Sequence, residues 1–229
     1  MENYVTPINF PLIEKALSSD RLNGYRLTPT DTELDILERY FWNISLCESL
    51  YAPLQSLEVA LRNSLHDNIT TMFGSNLSFD TVPFLRRIEL DVIARAKTRL
   101  LIEGKTISGS NIIASLHFGF WTCLLDRHYH WPLDWNHLVN TAFPWAPKYQ
   151  RTREKVLKPL ADMRHLRNRV FHHEPIWNWS NLAQRHLELY EVIRWISPQL
   201  HDAIGLFNRF QSVYSAGSAP YRQIISQHI

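Results

Sequence analysis

Residues 54–73 read LQSLEVALRNSLHDNITTMF, and the spacing of their apolar side chains decides the fold class. Advancing about 100° per residue gathers Leu54, Leu57, Leu61, Leu65 and Ile69 into one stripe. A strand would need strict alternation, which this stretch lacks. Gly74 follows as a helix stop, and Pro53 precedes it as a start or a kink. One residue breaks the pattern: Glu58 sits inside the leucine stripe.

The same period extends outward in both directions. TDTE at 30–33 has capping-box form, with Thr30 and Glu33 three residues apart, and predicts a helix over ELDILERYFWNISLCESL. Pro83 suits the first turn of a helix over FLRRIELDVIARAKTRLLIEG, which Gly104 ends. Ser108 or Ser110 caps a shorter apolar helix through Leu125. A Trp- and Pro-rich loop, DRHYHWPLDWNHLVNTAFPWAP, holds one short helix after Asp134. Pro147 precedes a basic helix running toward His172. Ser180 caps NLAQRHLELYEVIRWIS, which Pro198 disturbs near its end. With seven glycines in 229 residues and no internal repeat, the expectation is an all-α bundle of about six or seven helices. Residues 1–203 form one domain with its core at about 30–200, and the weakly patterned 204–229 forms an extension.

Composition narrows the function classes. Hydrophobic residues make up 45% and charged residues 20%, the balance of a globular chain rather than a disordered or membrane one. The most apolar run, NIIASLHFGFWTCLLD, is too short and too polar to span a bilayer. The opening MENYVTPINFPLIEKA has neither the basic start nor the apolar run of a secretory signal, so a cytoplasmic location is expected. Two cysteines support neither a disulfide framework nor a cysteine-rich zinc site. Charge is unevenly spread. From Lys148 to Arg169 there are eight Lys or Arg against Glu154 and Asp162, a local balance of +6 in a chain of net charge +2. Lys148, Arg151, Arg153, Lys155, Lys158 and Arg164 are the candidate RNA-binding residues of this block, with a solvated helix face as the alternative.

That block ends in LRNRVFHHEP at 166–175, where two histidines and an Arg-Asn pair precede a proline. Counting from Val156, the residues Leu160, Met163, Val170 and Phe171 lie within about 60° and define the buried stripe. Arg167 falls inside it, and a guanidinium there is costly unless paired or used. Glu58 is the natural partner on the 54–73 stripe, with Arg62 competing one turn away. His172 lies about 140° from Arg167 on a straight helix. A site needing both groups requires either that the helix end between them or that a second copy supply one.

Three blocks, LEVALRN at 57–63, FGFW at 118–121 and LRNRVFHHEPIW at 166–177, together resemble the Abi-like (AbiD/AbiF-type) phage-defence family of the HEPN superfamily. RNRVFH carries the Arg, polar, three residues, His pattern of HEPN ribonucleases. The resemblance spans roughly residues 30–200. It implies an all-α HEPN-like bundle that dimerises and cleaves RNA without a metal or other cofactor. Arg167, Asn168 and His172 match the catalytic positions. His173 matches if five residues intervene, and Glu58, Arg62 and Asn63 match a secondary block.

The residue types suit the chemistry. RNA cleavage without a metal needs a 2′-hydroxyl deprotonated, phosphate charge stabilised and the leaving 5′-oxygen protonated. Imidazole as a class changes charge near pH 6.5 and serves both proton steps. Guanidinium stays charged and forks onto phosphate. The resemblance implies a toxin in abortive infection or a toxin-antitoxin system, with RNA as substrate, a homodimer as the working form, and an RNA or protein antitoxin as partner. The competing readings are a non-catalytic RNA-binding HEPN module and a structural helical dimer. Other groupings are weaker: His128, His130 and His137, or His172, His173 and Glu174, for a metal, and Tyr129, Trp131, Trp135 and Trp145 for base stacking.

Overall fold

A computed structural model of the chain describes residues 7–74 and 84–229. Pro83, expected to open a helix, lies outside these. The described residues contain no strand and twelve α-helices. In order these are α1 (Phe10–Leu17), α2 (Ser19–Asn23), α3 (Glu33–Phe73), α4 (Arg87–Ile102), α5 (Gly109–Ser115), α6 (Phe118–Cys123), α7 (Trp135–Ala142), α8 (Arg153–Phe171), α9 (Leu182–Ile196), α10 (Pro198–Gly205), α11 (Phe210–Ala216) and α12 (Ala219–Ser226). The all-α class agrees with the sequence, whereas the expected six or seven helices become twelve.

Two boundaries differ in opposite senses, one merging helices and one splitting a helix. The two helices predicted on either side of Pro53 are one, a 41-residue α3 that keeps the proline inside. Proline removes one backbone hydrogen bond there, and the buried leucines on both sides, from Leu46 to Ile69, hold the helix together across it. Conversely, the single apolar helix expected through Leu125 is broken. Leu116 is extended, and His117 caps α6 by accepting the Phe120 N–H at 3.2 Å.

The caps follow side-chain chemistry more than pattern. The start of α3 is a reciprocal box shifted by two residues from Thr30 and Glu33. Thr32 Oγ1 accepts the Asp35 N–H at 3.2 Å, and Asp35 Oδ2 accepts the Thr32 N–H at 2.7 Å. Thr30 instead bonds Thr28, and Asp31 ties the preceding turn through Leu27 and Thr28. Ser108 and Asp134 cap α5 and α7 as expected. Gly74 and Gly104 end α3 and α4 at positive φ.

The chain divides into two compact units. The first comprises Met1–Ala52, Leu166–Leu187 and Leu206–Ile229. Its core includes Leu22, Tyr25, Ile36, Leu46, Leu50, Val170, Ile176 and Leu182. The weakly patterned tail is part of it: Phe210 and Ile225 are buried, and Trp42 Nε1 donates to Val213 O at 3.0 Å. Arg222 pairs with Asp35 at 2.6 Å and Glu38 at 3.0 Å. Phe210 also stacks on buried His186, centroids 4.2 Å apart, and burial lowers the pKa of that imidazole.

The second unit comprises Pro53–His165 and Glu188–Gly205. Leu54, Leu57, Leu61, Leu65 and Ile69 are all buried, the stripe read from the sequence. Trp121, Phe120, Leu133, Leu138, Phe143, Val156, Leu160 and Met163 complete the core. Among the described residues no helix is long and apolar enough to cross a membrane.

Candidate functional site

The motif helix α8 ends at Phe171, and the turn that follows is a Schellman cap. His172 N–H still makes an α-helical bond to Asn168 O at 2.9 Å. Then His173 N–H bonds Val170 O at 3.2 Å, and Glu174 N–H bonds Arg169 O at 2.8 Å. His173 occupies the left-handed position at φ 59, where glycine is the usual choice. Arg169 braces the turn from the side, pairing with Glu174 and donating to Pro175 O at 3.1 Å. Arg21, from α2, donates to His173 O.

Behind the turn stands Asn43, buried to 2% exposure on α3. Its Oδ1 accepts the N–H groups of Ile176 and Trp177 at 2.8 and 3.1 Å. Its Nδ2 donates to the Tyr25 hydroxyl at 3.1 Å. The amide therefore fixes where the chain goes after the motif, because two buried N–H groups have their acceptor in it.

This frame sets the motif side chains apart. The last helical bond is made by the His172 amide, so His172 leaves the end of α8 with the helical angle from Arg167 kept and no bend between them. Asn168 and His172, four residues apart, share an exposed face. Arg167 is half-buried at the edge of the stripe, its guanidinium carbon 4.5 Å from the centre of the Phe171 ring. Tyr51 stacks on Phe171 with centroids 4.8 Å apart and planes at 22°.

A cavity of about 610 Å³ lies within the same unit. Arg21, Tyr25, Tyr40, Tyr51, Phe171 and His173 are among its walls, and Ile44 and Cys47 line it too. His173 therefore faces a cavity to which His172 does not contribute. Burial pushes the Cys47 thiol up to about 11 and the Tyr25 phenol up to about 12, so both are neutral near pH 7.

In the second unit, two of the three quoted blocks meet. Glu58 Oε1 accepts the Phe118 N–H at 2.9 Å, placing LEVALRN against FGFW at the start of α6. A Cβ at Gly119 would lie 3.0 Å from the His117 ring that caps this helix, which explains the glycine in FGFW. Arg62 Nε donates to Asn63 Oδ1 at 3.1 Å at the surface.

The basic block is partly spent on structure. Arg151 lies before α8 and holds the preceding loop, donating to Ala146 O and Pro144 O at 2.8 Å and to Asn140 Oδ1 at 2.7 Å. Arg153 packs over Trp135 at 4.7 Å and bonds His130. Lys155 Nζ donates to Tyr149 O at 3.0 Å. Lys148, Lys158 and Arg164 are exposed. On the side toward α9, Lys155 and Lys158 share a groove with Glu154, Asp162, Glu188 and Glu191, so acidic groups outnumber basic ones there. On that side the surface is mixed in charge.

The aromatic quartet of the loop also divides. Tyr129 and Trp135 are buried, whereas Trp131 is 87% and Trp145 61% exposed. Tyr149, absent from that set, is 66% exposed. Among the described residues no group of three or more His, Cys, Asp or Glu gathers as metal ligands.

A polar cluster around buried Glu89 has no signature in the sequence. Arg86 Nη2 pairs with Glu89 Oε1 at 2.6 Å, and the Cys123 thiol donates to the same oxygen at 3.5 Å. Burial alone would raise the Glu89 carboxyl, but hydrogen bonds from Arg86 and Tyr129 hold it at about 2. Burial, and then the charge of Glu89, pushes the Cys123 thiol up to about 12. Cys123 is thus a neutral donor within a structural cluster. Compared with protein-family models, curated proteins and solved structures, the chain finds no match.

Proposed function

We propose that this chain is a metal-independent endoribonuclease of the HEPN superfamily, of Abi-like type, acting as a toxin in abortive infection or a toxin-antitoxin pair. The observation that carries the reading is the division of labour at the end of α8. The cap uses backbone atoms of residues 169–174 and the side chains of Arg169 and Glu174. Asn168 and His172 present side chains on an exposed face that the cap does not employ. Arg167 is half-buried beside Phe171, a setting that restrains a guanidinium before it meets a phosphate.

In the proposed reaction an imidazole takes the proton of the RNA 2′-hydroxyl, and the oxygen attacks the adjacent phosphorus. The bond from phosphorus to the 5′-oxygen breaks, and a second proton goes to that leaving oxygen. Products are a 2′,3′-cyclic phosphate and a 5′-hydroxyl. Arg167 neutralises charge developing on the phosphate, and Asn168 orients His172 or holds a phosphate oxygen. Because Arg167 and His172 diverge on one straight helix, the working site takes these residues from two copies in an isologous dimer.

The test incubates purified protein with cellular RNA in EDTA. Cleavage lost in Arg167→Ala and in His172→Ala, with both variants folded, supports the enzyme. Retarded migration of intact RNA supports the non-catalytic binder. Cutting at the wild-type rate in either variant sinks the assignment.

A further inference from the structure

We propose that the cavity beside His173 is a nucleotide-binding pocket, which takes the base among its tyrosines and sets the phosphate toward Arg21. This rests on the reading of the chain as an RNA-cleaving protein and names the part of the substrate that its first unit recognises.

The walls fit a flat aromatic group. About 610 Å³ lies in the range of small-molecule sites and exceeds what a single base needs. Tyr25, Tyr40, Tyr51 and Phe171 supply rings, and Tyr51 is 51% exposed while already parallel to Phe171. Phe171 also carries the Arg167 guanidinium at 4.5 Å, so the wall ring lies beside the arginine proposed to meet the phosphate. Rings prearranged in a stack lose little freedom when another ring joins them.

The charges fit an anion at one end. Arg21 is fixed at the cavity by its bond to His173 O, and the left-handed turn at His173 places that residue on the wall. The acidic residue of the lining, Glu48, is paired with Arg209 at 2.7 Å. Tyr25, Tyr40, Ile44, Val170 and Phe171 make much of the lining apolar, and burial keeps the Cys47 thiol beside them protonated. An apolar slot with a fixed cation beside it selects a ring bearing an anionic group over a purely apolar ligand.

The four nucleoside 3′-monophosphates, titrated into the full chain by calorimetry, test this directly. At least one is expected to bind. Ile44→Trp, which fills the cavity from a partly exposed position, should weaken it at least tenfold. Tyr51→Ala should weaken it about five- to a hundredfold through lost stacking. Circular dichroism establishes that each variant is folded, and either folded variant suffices for the comparison. No binding at millimolar nucleotide, unchanged affinity in a folded variant, or equal binding of p-cresol and the nucleotides overturns the proposal. Binding is read without cleavage, so its failure is distinct from failure of the ribonuclease reading. An enzyme that cuts RNA in EDTA yet binds no mononucleotide would keep the function and lose the pocket.

Discussion

Replacing His173 with glycine separates what the motif's second histidine does for the fold from what it does for chemistry. Its φ of 59 places an L-residue in the left-handed region, at a cost of about 1–2 kcal/mol. Glycine removes that cost. It also frees the unfolded chain, which returns about 0.4–1 kcal/mol. The His173 side chain is exposed, so little burial is lost. The net expectation is stabilisation of about 0.5–1 kcal/mol, or a rise in Tm of roughly 1–4 °C for a chain of this size. His173→Ala keeps the Cβ and should stay within about 0.5 kcal/mol of wild type. Urea unfolding of the three proteins, compared at constant slope, measures the difference. Destabilisation of the glycine variant by more than about 1 kcal/mol would refute the argument that the Schellman geometry here merely tolerates a histidine. The same variant then reports on chemistry. A more stable protein that no longer cuts RNA would make the His173 imidazole a working group, whereas full activity would leave that role to His172.

Three further outcomes follow from the structure. Asn43→Ala leaves the buried N–H groups of Ile176 and Trp177 without their acceptor and should cost about 3 kcal/mol in urea unfolding. Glu89 has a folded pKa of about 2 against an ordinary 4.5, so its contribution is complete above about pH 4.5 and lost as pH falls toward 2. Urea unfolding across that range should show wild type losing on the order of 2 kcal/mol more than Glu89→Gln, which itself starts less stable at pH 7. Trp131→Ala should leave stability within about 0.5 kcal/mol and weaken RNA retention, because the ring is 87% exposed. Trp135→Ala should cost about 3–5 kcal/mol, because that ring is buried; equal stability losses in the two variants would refute the partition.

The parts of the fold legible in the sequence are those set by near neighbours. The stripe from Leu54 to Ile69 follows from a repeat of three and four residues. The stops at Gly74 and Gly104 follow from the conformations that glycine alone adopts cheaply. The start of α3 at Glu33 is the one the sequence predicts, but the capping pair is ambiguous there because Thr30 and Thr32 both have an acidic residue three positions on; the observed bonds choose Thr32 and Asp35. Pro53 reads as a start or a kink because proline removes a helical hydrogen bond locally, whereas α3 keeps it inside, flanked by buried Leu50, Leu54 and Leu57 whose burial the local pattern around the proline does not reveal.

The candidate site divides along the same line. Asn43 lies 133 residues from Ile176 and nothing in its neighbourhood marks it, yet it positions the strand of chain that leaves the motif. Arg151 and Arg153 look like two members of a basic face until their bonds to Pro144, Ala146, Asn140 and His130 are seen. The motif itself behaves differently, since helical angles predict where its side chains point. The Arg167 to His172 step of about 140° is what a straight helix predicts, and α8 runs to Phe171 with the His172 amide still making the helical bond to Asn168 O. A bend between the two residues would have allowed one copy to build the proposed site. With that route closed, the ribonuclease reading requires association: cleavage per chain should fall as the protein is diluted through its dimer dissociation constant. Activity independent of concentration in a protein that sediments as a monomer would remove the two-copy site, and with it the role assigned to the divergence of Arg167 and His172.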